Sequence, residues 1–253
     1  MKNILLFFVL GFTFFVSCNT DPSVEYLSID YGYDYYPVAV GKYIIYDVDS
    51  ITYDPTQSAT SIDTTTYQVK EEVVDSTIDN AGRVMYIIHY STRNSIAEDW
   101  TLENVYTTVV DDFRVERTED NLRFVKMLFP SRVDLTWDGN QLFADENFII
   151  TVRGETLEIF KNWSSVTKEK GTSEAIGGLN FDDILTIQHA DNENFIEKRL
   201  VEEKYARGVG LVSKVMMILD TQCGGNLSDC IDLSWEEKAE KGFILKMTVN
   251  TYN

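Results

Sequence analysis

The feature that most constrains the fold of this chain is a succession of short segments rich in β-branched and aromatic residues. In residues 43–53 (YIIYDVDSITY), Tyr46 and Val48 fall on one face of an extended chain, and Asp47 and Asp49 fall on the other. Comparable segments recur along the chain, with turn-forming residues between them and only four prolines in total. This spacing is typical of many short strands joined by tight turns.

Helical patterns are scarce beside these strands. The segment SWEEKAEKG predicts one short helix, with Ser234 as its N-cap and Glu237 completing a capping box. We therefore predict a mainly β fold with one or two short helices. Its main element is expected to be a single large antiparallel sheet, curled or partly closed into a half-barrel, within one domain over residues 33–253.

Residues 1–17 have the pattern of a lipoprotein signal peptide. Lys2 precedes an uncharged apolar run over residues 4–16, which is too short for a comfortable membrane span. Ser17 supplies the small side chain that the lipoprotein signal peptidase needs before the cysteine, so we expect Cys18 to carry lipid. An ordinary secretory signal and an N-terminal membrane anchor are the alternatives.

Lipid on that cysteine would make residues 18–32 a tether and the protein an outer-membrane lipoprotein of the cell envelope, facing the periplasm or the cell surface. The chain carries 41 acidic and 22 basic residues, for a net charge of −19. Nucleic acids and anionic lipid headgroups need clustered Lys and Arg, so the composition argues against nucleic-acid binding. Membrane contact is expected through the lipid, and an envelope protein or a glycan is the expected partner.

The number of cysteines supports this predicted location in the cell envelope. Three cysteines leave one unpaired in an oxidising compartment, and lipid on Cys18 would account for it. Cys223 and Cys230 then remain within CGGNLSDC, where a disulfide would close a glycine-containing loop. The spacing differs from C-x-x-C, so a metal site is the weaker alternative.

The G-x-G of Gly208 and Gly210 raises the question of a phosphate-binding loop. The third glycine of a dinucleotide fingerprint is replaced by Ser213, and the following LVSKVMMILD is strand-like rather than helical. We interpret the glycines as a turn between two strands and predict no cofactor.

Catalytic and metal-binding patterns are weak. His89 and His189 each lie in a strand-like stretch and are expected on strand surfaces, with neither a nucleophile elbow nor zinc-ligand spacing nearby. Adjacent acidic pairs such as Asp111 and Asp112 face opposite ways in a strand, so none of them forms a catalytic dyad by itself. We predict no catalytic residue and no metal ligand.

The cluster YLSIDYGYDYYP carries Tyr31, Tyr33 and Tyr35 at alternating positions. An extended chain would present the three rings on one side, where they could stack on a ligand such as a sugar or pack against a partner. The alternative is that they cover an edge or an end of the sheet.

Four segments occur in a familiar order, namely YYPVAVGKYIIYDVDSITYD, WDGNQLF, EEKYARGVGLVSK and KGFILKMTVNTYN. Together they resemble a group of Bacteroidetes lipoproteins that has no established activity. The resemblance covers most of the chain after the signal peptide and implies a lipid-anchored envelope protein. It also implies that Asp-Ser/Thr patterns are acceptors for the O-glycosylation of that phylum, at Ser50, Thr64 and Ser76.

These observations favour a lipid-anchored envelope protein with a non-enzymatic binding or structural role. One alternative is a lipid or lipoprotein carrier, which would need a cavity lined by groups such as Ile44, Ile87, Val109 and Met127. The other alternative is a glycan hydrolase, which would need two carboxylates converging in a cleft.

Overall fold

The computed structural model describes residues 28–55, 60–145, 148–152, 154–225, 228 and 230–253. The predicted signal peptide and Cys18 lie outside these residues. The described elements are a 3-10 helix at Tyr33–Tyr35, a 3-10 turn at Cys223–Gly225, an α-helix α1 at Trp235–Lys238 and a series of strands. The strands are β1 (Tyr43–Pro55), β2 (Thr60–Ile78), β3 (Val84–Arg93), β4 (Thr101–Val110), β5 (Arg114–Glu119), β6 (Leu122–Leu128), β7 (Thr136–Trp137), β8 (Ile149–Val152), β9 (Glu155–Glu158), β10 (Ser165–Ile176), β11 (Leu179–Glu193), β12 (Glu197–Ala206), β13 (Gly210–Asp220) and β14 (Lys241–Tyr252).

Twelve of these strands form one antiparallel sheet in the order β6-β5-β4-β3-β2-β1-β14-β13-β12-β11-β10-β7, and β8 pairs with β9 in a separate hairpin. The first and last strands are neighbours at the centre of the sheet, because β1 pairs with both β2 and β14. This confirms the predicted mainly β fold with a single large, unclosed antiparallel sheet.

The sheet curls until its two edge strands come within reach of each other. The backbone amide of Val125 on β6 donates to the carbonyl of Gly139, which follows β7, at 2.8 Å. The indole Nε1–H of Trp137 on β7 donates to the carbonyl of Val125, also at 2.8 Å. The Asp138-Gly139-Asn140 turn after β7 therefore forms a seam between the edges of a half-barrel.

The apolar side chains on the concave face form much of the core. On β1, Tyr46 and Val48 are buried and pack with Val249 of the neighbouring β14 and with Ile184 and Val212 from β11 and β13. Strand alternation sends one set of side chains inward and the other to solvent, as the sequence of β1 predicts.

The far end of β1 breaks this alternation. Tyr53 is buried although it lies on the opposite face from Val48, and it packs with Leu219, Trp235 and Ala239. Helix α1 covers the convex face here, and the Tyr53 hydroxyl donates to the carbonyl of Glu236 at 3.2 Å. Both faces of the sheet are therefore buried at this end.

The segment that carries α1 has the two local features predicted for it. The Glu237 carboxylate accepts hydrogen bonds from the backbone amide of Ser234 at 3.0 Å and from its hydroxyl at 2.9 Å. Cys223 and Cys230 form a disulfide, which confirms the predicted pair. No helix within the described ranges is long and apolar enough to cross a membrane.

Candidate functional site

The two halves of the curled sheet enclose a cavity of about 190 Å³. Its apolar wall is formed by branched and straight aliphatic side chains from β1, β2, β3 and β14, together with the loop before β1. These side chains are Val38, Ile44, Val73, Ile88, Leu245 and Met247. The volume is similar to the roughly 150 Å³ of a cavity that holds a benzene molecule, so this cavity suits a small apolar group or the end of a longer one.

The mouth of the cavity includes the glycine turn that the sequence singled out. Gly208 has φ of 78° and Gly210 has φ of 108°, both in the region that favours glycine, and they connect β12 to β13. Val209 and Gly210 line the cavity, beside Lys42, whose Nζ donates to the Gly208 carbonyl at 3.1 Å. The predicted turn is confirmed, and it also borders the cavity.

The cavity predicted for a carrier is present with a different lining. Ile44 lines it as expected, but Val109 and Met127 are buried among other core side chains. Ile87 is half-buried on β3 and is not part of the lining.

Opposite the apolar wall, the cavity has a floor of charged side chains. Lys42, beside the glycine turn, also lines the cavity, and the floor itself carries three cations and three carboxylates in ion-paired combinations; these six are Arg117, Lys126, Lys214, Glu71, Glu119 and Glu203. Their charges balance, which reduces the cost of placing so many ionised groups inside the protein.

Glu203 on β12 is the best-compensated carboxylate of this floor. One oxygen accepts from Lys126 Nζ at 2.6 Å, and the other accepts from the Tyr205 hydroxyl at 2.6 Å and lies 3.0 Å from His189 Nε2. Burial by itself would raise the pKa of Glu203, but Lys126 and His189 outweigh it and hold the pKa well below its ordinary value. Glu203 is therefore ionised.

His189 is buried and only 2% exposed, so the prediction that it lies on a strand surface is wrong. Its Nδ1 lies 2.8 Å from the hydroxyl of Ser165, and burial lowers the pKa of the imidazole despite the neighbouring Glu203. A neutral ring that donates from Nε2 to Glu203 and accepts from Ser165 at Nδ1 satisfies both contacts. His89 is half-buried on β3.

Ser165, His189 and Glu203 thus form a chain of hydrogen bonds with the residue types of a catalytic triad. The residue of this chain that lines the cavity is Glu203, whereas Ser165 and His189 are not in the lining. A nucleophilic serine has to reach the substrate, and here the serine hydroxyl lies at the end remote from the cavity. The chain of hydrogen bonds therefore serves to hold Glu203 in place.

The second ion-paired group is centred on Arg117 of β5. Its two terminal nitrogens contact the two Glu71 oxygens at 3.0 and 2.6 Å, and its Nε lies 2.6 Å from Glu119. Burial favours the neutral form of Glu119, but Lys214, Arg117 and Lys126 lower its pKa to about 2. Glu119 is therefore ionised too.

Lys214 on β13 is the cation of the floor with the longest contact to its carboxylate partner. Its Nζ lies 3.5 Å from one oxygen of Glu203, its neighbour across β12 and β13. Burial disfavours the charge, but the carboxylates of Glu119 and Glu203 outweigh burial and raise the pKa of the lysine. Lys214 is therefore a protonated ammonium group on the cavity surface.

The three N-terminal tyrosines do not form a row, because residues 33–35 turn into a 3-10 helix. Tyr31 and Tyr33 stack on each other with ring centroids 5.4 Å apart and remain partly exposed, whereas Tyr35 is fully buried. Ligand stacking stays a prediction, and only Tyr31 and Tyr33 have exposed rings for it. Asp30, just before these tyrosines, pairs with Arg207.

The other predicted sites lie outside the cavity. Thr64 and Ser76 are exposed on β2, and Ser50 is half-buried on β1 between β2 and β14, so O-glycosylation stays a prediction. Over the ranges that the structure describes, no group of three or more His, Cys, Asp and Glu side chains is placed to hold a metal ion.

The charged floor was missed at the sequence level, although one signal for it was present. In VEEKYA, Glu203 alternates with Val201 and Tyr205, which puts a carboxylate in the middle of an apolar strand face. Its partner Lys126 is 77 positions away in the chain and could not be identified from spacing.

Two solved structures resemble this chain at very low sequence identity. A protein of Bacteroides fragilis, provisionally described as exported and with a YmcC-like fold, is 10% identical over 86% of this chain and 98% of its own, with a TM-score of 0.41. A protein of Parabacteroides distasonis, provisionally described as a lipoprotein, is 8% identical over 87% of this chain and 98% of its own, with a TM-score of 0.36. No protein-family model and no curated protein sequence matches the chain. Function therefore has to be inferred from the cavity.

Proposed function

We propose that this protein is a lipid-anchored protein of the cell envelope that binds a small apolar or amphiphilic ligand in its cavity, without catalysing a reaction. The observation that carries the binding role is the cavity itself, with an aliphatic wall facing a charge-balanced floor. Most binding sites for small molecules combine an apolar lining with a few polar groups that orient the ligand.

The ionisation of the carboxylates on the cavity floor supports a non-enzymatic role. A glycan hydrolase needs one carboxyl group with a raised pKa as its proton donor. Glu119 and Glu203 instead have lowered pKa values, because each is paired with cations inside the protein. Carboxylates held in this way orient a ligand but do not donate protons at neutral pH.

The lipid anchor rests on the sequence around Cys18. Metabolic labelling with palmitate should mark the wild-type protein, and fractionation should find it in the membrane. Cys18→Ala should abolish both the label and the membrane association. An unlabelled wild-type protein would contradict the anchor without affecting the cavity.

Ligand binding is tested by filling the cavity. Val73→Phe places a bulkier side chain against the cavity, because Val73 lines its wall, and Val84→Phe makes the same change at an exposed position on β3. We expect NMR titration with octanol to shift signals of cavity residues in the wild type and in Val84→Phe. Val73→Phe should lose that response, and retention of the full response would contradict the proposal. Mass spectrometry of the protein purified from its native membrane should then reveal a retained amphiphile.

A further inference from the structure

The polar groups of the cavity floor differ in how well they are satisfied. Glu71 accepts two hydrogen bonds from Arg117, and Glu203 accepts from Lys126 and Tyr205 while contacting His189. These groups form a closed network and leave little capacity for a ligand.

Lys214 and Glu119 are the exceptions. Lys214 has a single carboxylate contact at 3.5 Å, and Glu119 has a single ion pair, with Arg117 Nε. Their side chains remain 17% and 21% exposed, and both line the cavity. Each influences the pKa of the other, yet among the residues described here they form no ion pair with each other. An ammonium donor and a carboxylate acceptor thus line the same cavity of about 190 Å³ with hydrogen-bonding capacity to spare.

The charge balance of the floor restricts what can occupy this position. On the floor, Arg117, Lys126 and Lys214 already offset three carboxylates, and Lys42, the fourth cation of the lining, is held at the exposed glycine turn. An additional charge placed on the floor would therefore be buried without a counter-charge. A group with no net charge that can both donate and accept hydrogen bonds would fit Lys214 and Glu119 together.

We infer that the ligand is an amphiphile with no net charge, whose polar end accepts from Lys214 and donates to Glu119 while its apolar part lies against Ile44, Val73 and Leu245. A hydroxyl group is the simplest polar end with these properties. This inference rests on the proposed binding function and specifies the chemical class of its ligand.

The test compares four probes that share one alkyl chain, namely octanol, octyl methyl ether, octanoate and octylammonium, by calorimetry or NMR titration. We expect octanol to bind the wild type about tenfold more tightly than each of the other three. The ether can accept but not donate, and each of the two ions leaves a buried charge unpaired.

Two variants make the prediction sharper, because they should shift the preference in opposite directions. Glu119→Gln leaves the floor with an excess positive charge and should favour octanoate, whereas Lys214→Met should favour octylammonium. Glu72→Gln is the matched control, since Glu72 pairs with Lys70 outside the cavity lining. A purely structural role for the two side chains would not shift the preference toward opposite charges in the two variants.

The outcomes separate the two levels of the proposal. If none of the probes binds, both the binding function and this inference fail. If all four bind with similar affinity, or if the two variants shift the preference in the same direction, the cavity binds ligands but the inferred polar contact is wrong. The wild-type comparison remains informative even if a variant does not fold.

Discussion

The indole of Trp137 donates to the backbone carbonyl of Val125 at 2.8 Å, and this contact joins the two edges of the sheet. The amide of Val125 donates in turn to the Gly139 carbonyl. Both backbone polar groups of Val125 are therefore hydrogen-bonded across the seam. An open antiparallel sheet leaves edge amides and carbonyls free to pair with other chains. The Trp-Asp-Gly turn therefore protects an edge and gives the half-barrel its curl.

Replacing this indole should loosen the seam selectively. Trp137→Phe keeps an aromatic ring but removes the donor to Val125, and we expect it to lower the free energy of unfolding by about 1–2 kcal/mol. Hydrogen exchange should show a faster-exchanging Val125 amide. Trp163→Phe is the matched control, because Trp163 Nε1 donates to the nearby Ile159 carbonyl within its own segment. Equal acceleration at Val125 in both variants would contradict the role of the seam.

The position of Gly139 does not accommodate a side chain, because Ser165 occupies the adjacent space. A Cβ at Gly139 would lie 2.7 Å from the Ser165 Oγ, which is held by its contact with His189. We expect Gly139→Ala to lower the free energy of unfolding by about 1–3 kcal/mol. Adding Ser165→Ala should relieve the clash, so the double variant should be about 1 kcal/mol more stable than the sum of the single effects. Urea unfolding of all four proteins measures this coupling, and strictly additive effects would refute it.

Buried His189 should make stability depend on pH in a defined window. Its pKa in the folded protein is lowered from the ordinary 6.5 because burial disfavours the charged ring. As pH falls below 6.5, the unfolded chain therefore takes up a proton that the folded protein does not, and the free energy of unfolding decreases. Well above 6.5 this group makes no pH-dependent contribution, because the ring is neutral in both states.

Denaturant unfolding between pH 7.5 and 5.5 tests this linkage, and the range brackets the reference pKa of histidine at about 6.5. The wild type should lose stability toward the acid end, while His189→Gln should show a flatter profile. His89→Gln, at the other of the two histidines in the chain, is the control variant. An unchanged slope in His189→Gln would show that other groups dominate this window. The carboxylate of Glu203 acts in a lower window, since its lowered pKa contributes stability that is lost only as pH falls below about 4.5.

The features that the sequence predicted correctly are those with local causes. Period-2 alternation predicts β1 around Tyr46 and Val48, glycine at positive φ predicts the turn at Gly208, and the Ser234 cap predicts α1. Each of these depends on residues within a few positions of one another. The disulfide followed from the cysteine count together with the compartment.

The features that were missed depend on the curl of the sheet. Lys126 and Glu203 are 77 positions apart and meet only because β6 lies across the half-barrel from β12. His189 is buried for the same reason, since the seam turn at Gly139 closes over Ser165 beside it. Strand periodicity predicts which face a side chain occupies, but it does not predict what the opposite half of the sheet places against that face.

The disulfide between Cys223 and Cys230 should stabilise the segment that carries α1. The two cysteines are seven positions apart, and closing a loop of this size reduces the entropy of the unfolded chain by an amount worth about 2–3 kcal/mol. Replacing both cysteines with serine should lower the free energy of unfolding by up to that amount. Reductant should destabilise the wild type similarly and leave the double variant unchanged. Trp235 packs against Tyr53 on the convex face. Fluorescence of this tryptophan should therefore report the loosening of the α1 segment before the rest of the sheet unfolds. A reductant-insensitive wild type would show that the disulfide contributes nothing to stability.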